Sequence, residues 1–317
     1  MSEEADSERE SRASVCAVVV TRNPEDDFLD SLRRIAEQVG GLIVVDNDST
    51  GQQDLKATVE RELPEAQFIG NQENVGIASA LNLSIRHALD RGFEWILTLD
   101  QDATPGSDMV VEMLRVGQAL SGECNVGVVA PFVVDRSLSA EARYIRKWRF
   151  GLFERARCRG RWIKNVTAII SAGAMYRAEV FRVAGWFWDG LFVDYVDTEH
   201  CLRLQRHGYQ IVVACKATLH HRLGNRKEIR LGPVRIRSTF HPASRWYYIG
   251  RNRVHTIRRH GAAFPHWVLF DLTVGGYWIA RMLAVEPDRW AKAAALWRGT
   301  LDGLGGKLGP RTLTDSR

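Results

Sequence analysis

The sequence predicts an α/β fold: a Rossmann-like, mostly parallel central sheet with flanking helices and a C-terminal helical segment. Three observations carry that expectation. Short apolar, β-branched runs alternate with stretches of about 10–15 residues at helical spacing, the mark of right-handed βαβ crossovers. Several of those runs stop in carboxylates or amides, at the strand ends where open α/β sheets bind ligands. A chain of 317 residues that is 45% hydrophobic also buries a substantial core, as one large domain or one domain with an appendage.

The elements follow in order. Residues 1–13 are rich in Ser, Glu and Arg without an apolar core, and read as a disordered tail rather than a signal peptide. Val15 to Val20 is a buried strand entering the loop Thr21-Arg22-Asn23-Pro24. Phe28, Leu32, Ile35 and Val39 recur at helical spacing, with Gly40-Gly41 as the stop. Leu42 to Val45 is a second strand, ending in Asp46-Asn47-Asp48-Ser49. A helix near 53–63, a strand at 67–70 and a helix over 77–91 lead to the run from Trp95, which ends in Asp100-Gln101-Asp102. After Val126 to Pro131 the pattern breaks. Residues 135–165, rich in Arg and aromatics, suggest an irregular insertion, and 169–177 a strand carrying Ser171-Ala172-Gly173. Asp197 opens a helix running to Gly208. The expected organisation is a catalytic domain over 14–240, a basic, aromatic helical region over 241–305 and a flexible Gly-rich end over 306–317.

Charge is uneven. Residues 1–225 carry 26 Lys/Arg against 32 Asp/Glu, while 226–317 carry 17 against 6. A basic, Trp-bearing tail behind an acidic body points to an anionic partner surface. Nucleic acid is not expected, because the tail lacks a recognition motif and the body would repel phosphate backbones. Phe264 to Val285 is about long enough to cross a bilayer, but His266, Asp271 and Arg281 make spanning costly, at roughly 2.5–3.5 kcal/mol per central charge. An interfacial helix flanked by Arg251, Arg253, Arg258, Arg259, Arg289 and Lys292 fits better, giving peripheral contact through 251–298 at the inner face of the cytoplasmic membrane. Ordinary packing or a homo-oligomer interface explains the same pattern equally well. The five cysteines are odd in number, scattered and without Cys-x-x-Cys spacing. Neither a disulfide scaffold nor a zinc site is expected, and a reducing cytoplasm is the default.

Asp100 and Asp102, on alternate positions, can share one hard divalent cation, Mg²⁺ or Mn²⁺, against a substrate's phosphates. An Asp-x-Asp also recurs in ordinary turns. The loop after the first strand has no Gly-x-Gly-x-x-Gly, which excludes a dinucleotide cradle and leaves charge neutralisation to a metal. A nucleotidyltransferase is the weaker alternative, since Thr21 to Asp26 has no Gly-rich, basic loop.

Val-Val-Asp-Asn-Asp-Ser (44–49), Asn71-Gln-Glu-Asn74-Val-Gly76-Ile-Ala78 with Asn82, and Leu-Asp-Gln-Asp (99–102) resemble inverting family 2 glycosyltransferases of the GT-A fold. Val-Asp-Thr-Glu (196–199), Cys-Leu-Arg (201–203) and His221-Arg-Leu-Gly224 continue in order. Arg245-Trp-Tyr-Tyr-Ile-Gly-Arg-Asn252 is similar to the Arg-Tyr-Tyr…Arg-Asn segment of bacterial rhamnosyltransferases that use dTDP-L-rhamnose, with Trp246 and Gly250 departing from the commoner pattern. The resemblance spans roughly residues 15–255. It implies transfer of L-rhamnose to a hydroxyl of a glycan or polyprenyl-linked acceptor in cell-surface polysaccharide synthesis. UDP-hexose or UDP-galactofuranose is the alternative nucleotide-sugar donor.

It also implies roles. Asp46 accepts from the imide N–H of the base, with Thr21 and Asn23 lining the same pocket and Asn74, Gly76 and Asp100 beside the nucleotide. Asp102 and His221 hold the metal. Asp197 is the general base, in competition with Asp194 and Glu199. Gly173, Asp194, Glu199, Arg245 and Arg251 are contacts to acceptor or donor sugar. The residues alone leave other readings open: helix capping for Asp197 and Asn74, an Asx-type turn for Asp46, a structural histidine at 221, next to His220, and tight turns at Gly76 and Gly173.

Overall fold

A computed structural model describes residues 11–135, 140–221, 226–231 and 234–311. The first half is the predicted alternation: β1 Val15–Thr21, α1 Phe28–Ala36, β2 Gly41–Asn47, α2 Gln52–Glu62, β3 Gln67–Asn71, α3 Gly76–Asp90 and β4 Trp95–Asp100. Then come β5 Ala103–Pro105, α4 Met109–Leu120 and β6 Val126–Asp135, followed by short strands β7 Ala140–Glu141, β8 Tyr144–Lys147, β9 Phe153–Ala156 and β10 Trp162–Ile163. β11 Met175–Arg177, α5 Ala178–Val183, α6 Val196–Arg206 and β12 Gln210–His221 complete the sheet. A hairpin, β13 Arg226–Leu231 and β14 Val234–Thr239, leads to α7 Ala243–His260, α8 Pro265–Val285 and α9 Arg289–Leu304.

The strand order is β10-β12-β6-β11-β4-β1-β2-β3. Strands β4, β1, β2 and β3 run parallel, whereas β11 is antiparallel to both β4 and β6. Alternation along each strand splits the core into two layers. Val18, Val20, Ile43, Val45 and Ile96 pack with Ala78, Leu81 and Ile85 of α3. Val19, Leu42, Val44, Leu97 and Leu99 pack with Leu32 and Ile35 of α1 and Met113 of α4. Fully covered on both faces, these strands are continuous apolar runs, which is why they were legible.

Two expectations are corrected, the strand at 169–174 and the absence of a disulfide. Residues 169–174 are not strand. Gly173 adopts φ +84 and its N–H bonds to Thr98 O at 2.7 Å, so the chain turns before joining β4 at Met175. Cys158 and Cys215 form a disulfide, with Cα atoms 5.5 Å apart. Sequence spacing hid the pair, because the antiparallel pairing of Trp162 with Ala214 brings the two segments together. Within the tail, the Ser11 carbonyl accepts from Ser14 N–H at 3.3 Å and the Arg12 carbonyl from Gly40 N–H at 3.0 Å, while residues 1–10 lie outside the described residues. At the other end, Gly309 N–H bonds to Gly190 O at 2.7 Å and Arg311 N–H to the Tyr248 hydroxyl at 2.9 Å, which tether a largely exposed segment at two points. Residues 312–317 lie outside the described residues.

Candidate functional site

Strand register builds the rim. Thr21 pairs with Asp46, Val20 with Asp100 and Asn47 with Asn71, so four strands end level. A network of amides ties the loops beyond them. Asn47 Nδ2 donates to Asn74 Oδ1 at 2.9 Å, Gly76 N–H to the same oxygen at 3.0 Å, and Val75 N–H to Asn47 Oδ1 at 3.1 Å. The Asn74 side chain therefore closes an Asx-type turn onto Gly76, the first residue of α3, and braces the rim. Thr21 Oγ1 and Arg22 N–H both donate to Gln101 Oε1, at 3.0 and 2.7 Å. Asn23, at φ +48, accepts from Thr50 N–H at 2.8 Å.

Asp46 is fully buried. Its carboxylate accepts from Ser49 N–H at 3.0 Å, from the Ser49 hydroxyl and from Gln52 Nε2 at 2.6 Å. That is the turn reading of this residue, and it gives Asp46 an internal task whatever else it does.

β12 brings a histidine to the acids. His221 pairs with Ala103 across β5 and with Asp135 across β6, directly beside Asp102. Its Nδ1 lies 3.3 Å from Asp102 Oδ1 and its Nε2 3.8 Å from Asp100 Oδ2. One ligand atom from each of Asp100, Asp102 and His221 falls within 4.8 Å of the others. The imidazole is 9% exposed and the two carboxylates 39% and 36%, so the group opens outward from a buried base. His221 Nδ1 is buried without a hydrogen bond. Two oxygens and an unengaged imidazole nitrogen fit a hard divalent cation. Burial pushes the Asp100 carboxyl up, and the Asp102 charge adds to it. Burial alone would lower His221, but the two carboxylates raise it on balance. Of the motif around it, 222–225 lie outside the described residues.

Asp197 sits on the second residue of α6 and is half-buried. It does not cap the helix; Tyr195 occupies that position without a side-chain bond. Asp197 Oδ1 accepts from Thr198 N–H at 2.7 Å and Oδ2 from Ser171 N–H at 3.3 Å. The Ser171 carbonyl in turn accepts from Thr98 Oγ1 at 2.5 Å, which latches the 171–173 turn to β4, two residues from Asp100. Gly173 is required there, since a Cβ would stand 2.6 Å from Leu219 Cδ2 and 2.7 Å from Pro131 Cγ. Burial pushes Asp197 up to about 6 against those two N–H donors, with the nearby charges of Asp100 and Asp194 adding to the rise.

Arg245, from the first turn of α7, grips Asp194 through two nitrogens, Nε at 3.1 Å and Nη2 at 3.0 Å. Its charge is also felt at Asp100 and by Asp197. The charges of Asp100, Asp102, His221, Asp194, Asp197 and Arg245 are thus linked, each lying within electrostatic reach of at least one other.

Two residues expected at the sugar are elsewhere. Glu199 is fully buried and held by Arg203 Nε at 3.1 Å, Arg203 Nη2 at 2.8 Å and His260 Nε2 at 3.0 Å. Burial alone would raise its pKa, but His260 and Arg203 outweigh that and hold it at about 2, so it is a fixed anion and no proton acceptor. Arg251 is 1% exposed and donates to the carbonyls of Gly190, Leu191 and Gly309. Both were chosen for motif position, and a single sequence does not show which face of a helix is covered. Gln101, Ser171 and Asn252 were missed as site-shaping groups; only the placement of Asn252 in the Arg-Asn pair hinted at it.

Residues 16–185 match the family model "Glycosyl transferase family 2". The chain belongs to that family. Among characterised relatives, the transferase is 30% identical over 250 residues to the dTDP-rhamnosyl transferase RfbF of Shigella flexneri, covering 78% of this chain and 81% of that one. It is 27% identical over 257 residues to the galactofuranosyltransferase GlfT1 of Mycobacterium tuberculosis H37Rv, covering 78% and 83%. Solved structures carry the same fold at low identity. GalNAc-T7 with UDP, GalNAc and Mn²⁺ superposes with a TM-score of 0.57 at 12% identity, over 90% of this chain and 54% of that longer one. Residues 1–349 of Staphylococcus aureus TarS give 0.51 at 13% identity, over 92% and 72%. The fold is GT-A, and the protein is a glycosyltransferase with a helical C-terminal segment and a carboxylate–imidazole group of the kind that holds a divalent cation.

Proposed function

We propose that the transferase moves L-rhamnose from dTDP-L-rhamnose, with inversion, onto a hydroxyl of a glycan or polyprenyl-linked glycan in cell-surface polysaccharide synthesis, working peripherally at the inner face of the cytoplasmic membrane. One observation supports the chemistry: Ser171 bonds Asp197 through its N–H and Thr98 through its carbonyl, which ties Asp197 to the strand ending in Asp100 and within electrostatic reach of it. The similarity to the rhamnosyl transferase supports the sugar. The similarity to GlfT1 favours a second reading, galactofuranosyl transfer from a UDP-linked donor, which would use the same residues.

In this reading Thr21, Asn23, Asn74 and Gly76 frame the nucleotide. Asp46, buried at the rim end of β2, shapes the base pocket through Ser49 and Gln52. Asp100, Asp102 and His221 hold Mg²⁺ or Mn²⁺, which when bound neutralises diphosphate charge as the glycosyl bond breaks. Arg245 brings a further positive charge within electrostatic reach of Asp100 and Asp197. Asp197 removes the proton of the acceptor hydroxyl as its oxygen attacks the anomeric carbon opposite the diphosphate. A base so placed contributes about 10²–10⁴-fold. The single displacement inverts the configuration.

Calorimetric titration with dTDP and with UDP, each with and without Mn²⁺, tests the assignment. Tight binding is expected only with the cation and is stronger for dTDP. A preference for UDP transfers the assignment to the second reading, and failure of both nucleotides to bind removes it.

A further inference from the structure

Residues 190–195 immediately precede the helix that carries Asp197, and their backbone is unusual. Phe192, Asp194 and Tyr195 have φ of 64, 58 and 64, a left-handed conformation that non-glycine residues keep only where the surroundings over-determine it. At Phe192 the chain forms a γ-turn of the rarer hand, with Val193 N–H bonded to Leu191 O at 2.7 Å. The over-determining contacts come from two sides. On one, Asn252 Nδ2 reaches the carbonyls of Leu191, Val193 and Asp194 at 2.9, 2.7 and 2.9 Å. Beside it, Arg251 Nη2 reaches those of Gly190 and Leu191, each at 3.0 Å. Arg251 Nε donates to Asn252 Oδ1 at 2.9 Å, which fixes the amide's orientation. On the other side, Ile77 N–H donates to Phe192 O at 2.8 Å, and Gly76 leaves no room for a Cβ, which would stand 2.5 Å from the Phe192 ring.

We propose that Arg251 and Asn252 are positioning residues for sugar transfer: they hold the left-handed 192–195 turn, and through it aim the Asp197 carboxylate at the acceptor hydroxyl. Both side chains are buried, at 1% and 0% exposure, so they act through the turn and not by touching a sugar. An apolar pair would fill the same volume but would leave the carbonyls of the turn unpaired. The C-terminal helix is on this account a working part of the catalytic centre. The inference rests on the reading of Asp197 as the base, so its test carries that reading as a separate arm.

In the full-length protein, Asn252→Ala and Arg251→Lys are compared with Asp197→Asn and with the double variant Asp197→Asn/Asn252→Ala. Turnover is followed as nucleoside diphosphate released from the sugar nucleotide. Each single positioning variant is expected to lower kcat by about 10–10²-fold, the scale of a small misplacement of a reacting group. Donor KM and Mn²⁺-dependent dTDP or UDP affinity stay close to wild type. The double variant turns over no more slowly than Asp197→Asn alone, because groups acting through one carboxylate are not additive. Wild-type kcat in Asn252→Ala, a loss of nucleotide affinity matching the loss of kcat, or a further drop in the double variant overturns the proposal. Should Asn252→Ala not fold, Arg251→Lys carries the same readings. Wild-type turnover in Asp197→Asn sinks the base assignment itself, and the positioning role with it.

Discussion

At the scale of single residues, Asp197 is defined by contrast with its neighbours. Glu199, two residues on, is a fixed anion at about 2, and Asp194 is tied to Arg245. Asp197 alone combines a raised pKa of about 6 with a half-buried carboxylate, the condition for a base that accepts a proton near neutrality. Asp197→Asn is expected to retain Mn²⁺-dependent nucleotide binding while transfer falls by about 10²–10⁴-fold, since an amide takes no proton. The wild-type rate is expected to level off about one unit above pH 6, to be half-maximal near 6 and to drop about tenfold per unit well below it, as the carboxylate protonates. A pH–rate profile flat down to 4.5 would assign the proton to another group. The residue-level signals in the sequence were unequal. Asp100 and Asp102 announced themselves by ending an apolar run, whereas Asp197 looked like a cap and became a base candidate only through resemblance.

At the scale of elements, α6 and α7 are joined by a buried ionic cluster. Glu199 binds Arg203 on its own helix and His260 at the end of α7, and Arg203 also donates to Trp186 O at 2.7 Å. Glu199→Gln leaves buried positive charge uncompensated and is expected to destabilise the fold by about 3–5 kcal/mol, the usual cost of breaking one half of a buried pair. Denaturant unfolding measures it; a change below about 1 kcal/mol would mean the pair stabilises no more than a surface bridge. The pH dependence has a definite sign. A carboxylate at about 2 when folded and ~4.3 when unfolded contributes its full stabilisation above ~4.3 and loses it as pH falls toward 2. The helical spacing of α6 was legible in sequence. That its Glu199 faces α7 was not, because that depends on where α7 packs.

Over the whole molecule, the C-terminal helices present an apolar surface to solvent on the far side of their packing. Trp290 and Trp297 are 75% and 64% exposed, with Leu301 and Leu304 continuing the same stripe of α9. Leu269, Leu272, Tyr277 and Trp278 are exposed on α8, a helix long and apolar enough by composition to cross a bilayer. Of the charges that would resist lipid on α8, Asp271 is turned inward, pairing with Arg253 at 2.9 Å and with the Tyr195 hydroxyl at 2.6 Å, while Arg281 lies over the exposed Tyr277 ring. One face of α8 also packs on the β8–β9 hairpin through Phe270 and Phe153, so contact along the membrane surface suits it better than spanning. The excess of 17 Lys/Arg over 6 Asp/Glu in 226–317 favours an anionic bilayer over a second, equally basic copy. The full-length protein is expected to sediment with vesicles containing anionic phospholipid, less so in high salt, and a Trp290→Ala/Trp297→Ala variant to stay largely in solution. Sedimentation of both proteins to the same extent would place the contact elsewhere.

What the sequence determined by itself was local. Runs such as Cys16 to Val20 and Ile43 to Val45 are covered on both faces, so their apolar continuity shows directly in the chain and predicts parallel strands ending in a polar rim. Tertiary structure alone decided which distant groups meet. His221 reaches Asp102 only because β12 pairs with β5, Cys158 reaches Cys215 only through the β10–β12 pairing, and Arg251 and Asn252 reach the turn before Asp197 only because α7 folds back on it. Local spacing encodes burial and periodicity, while the partner of a charge or an amide is fixed by strand pairing and helix docking, and these bring together segments whose separation in sequence carries no sign of contact.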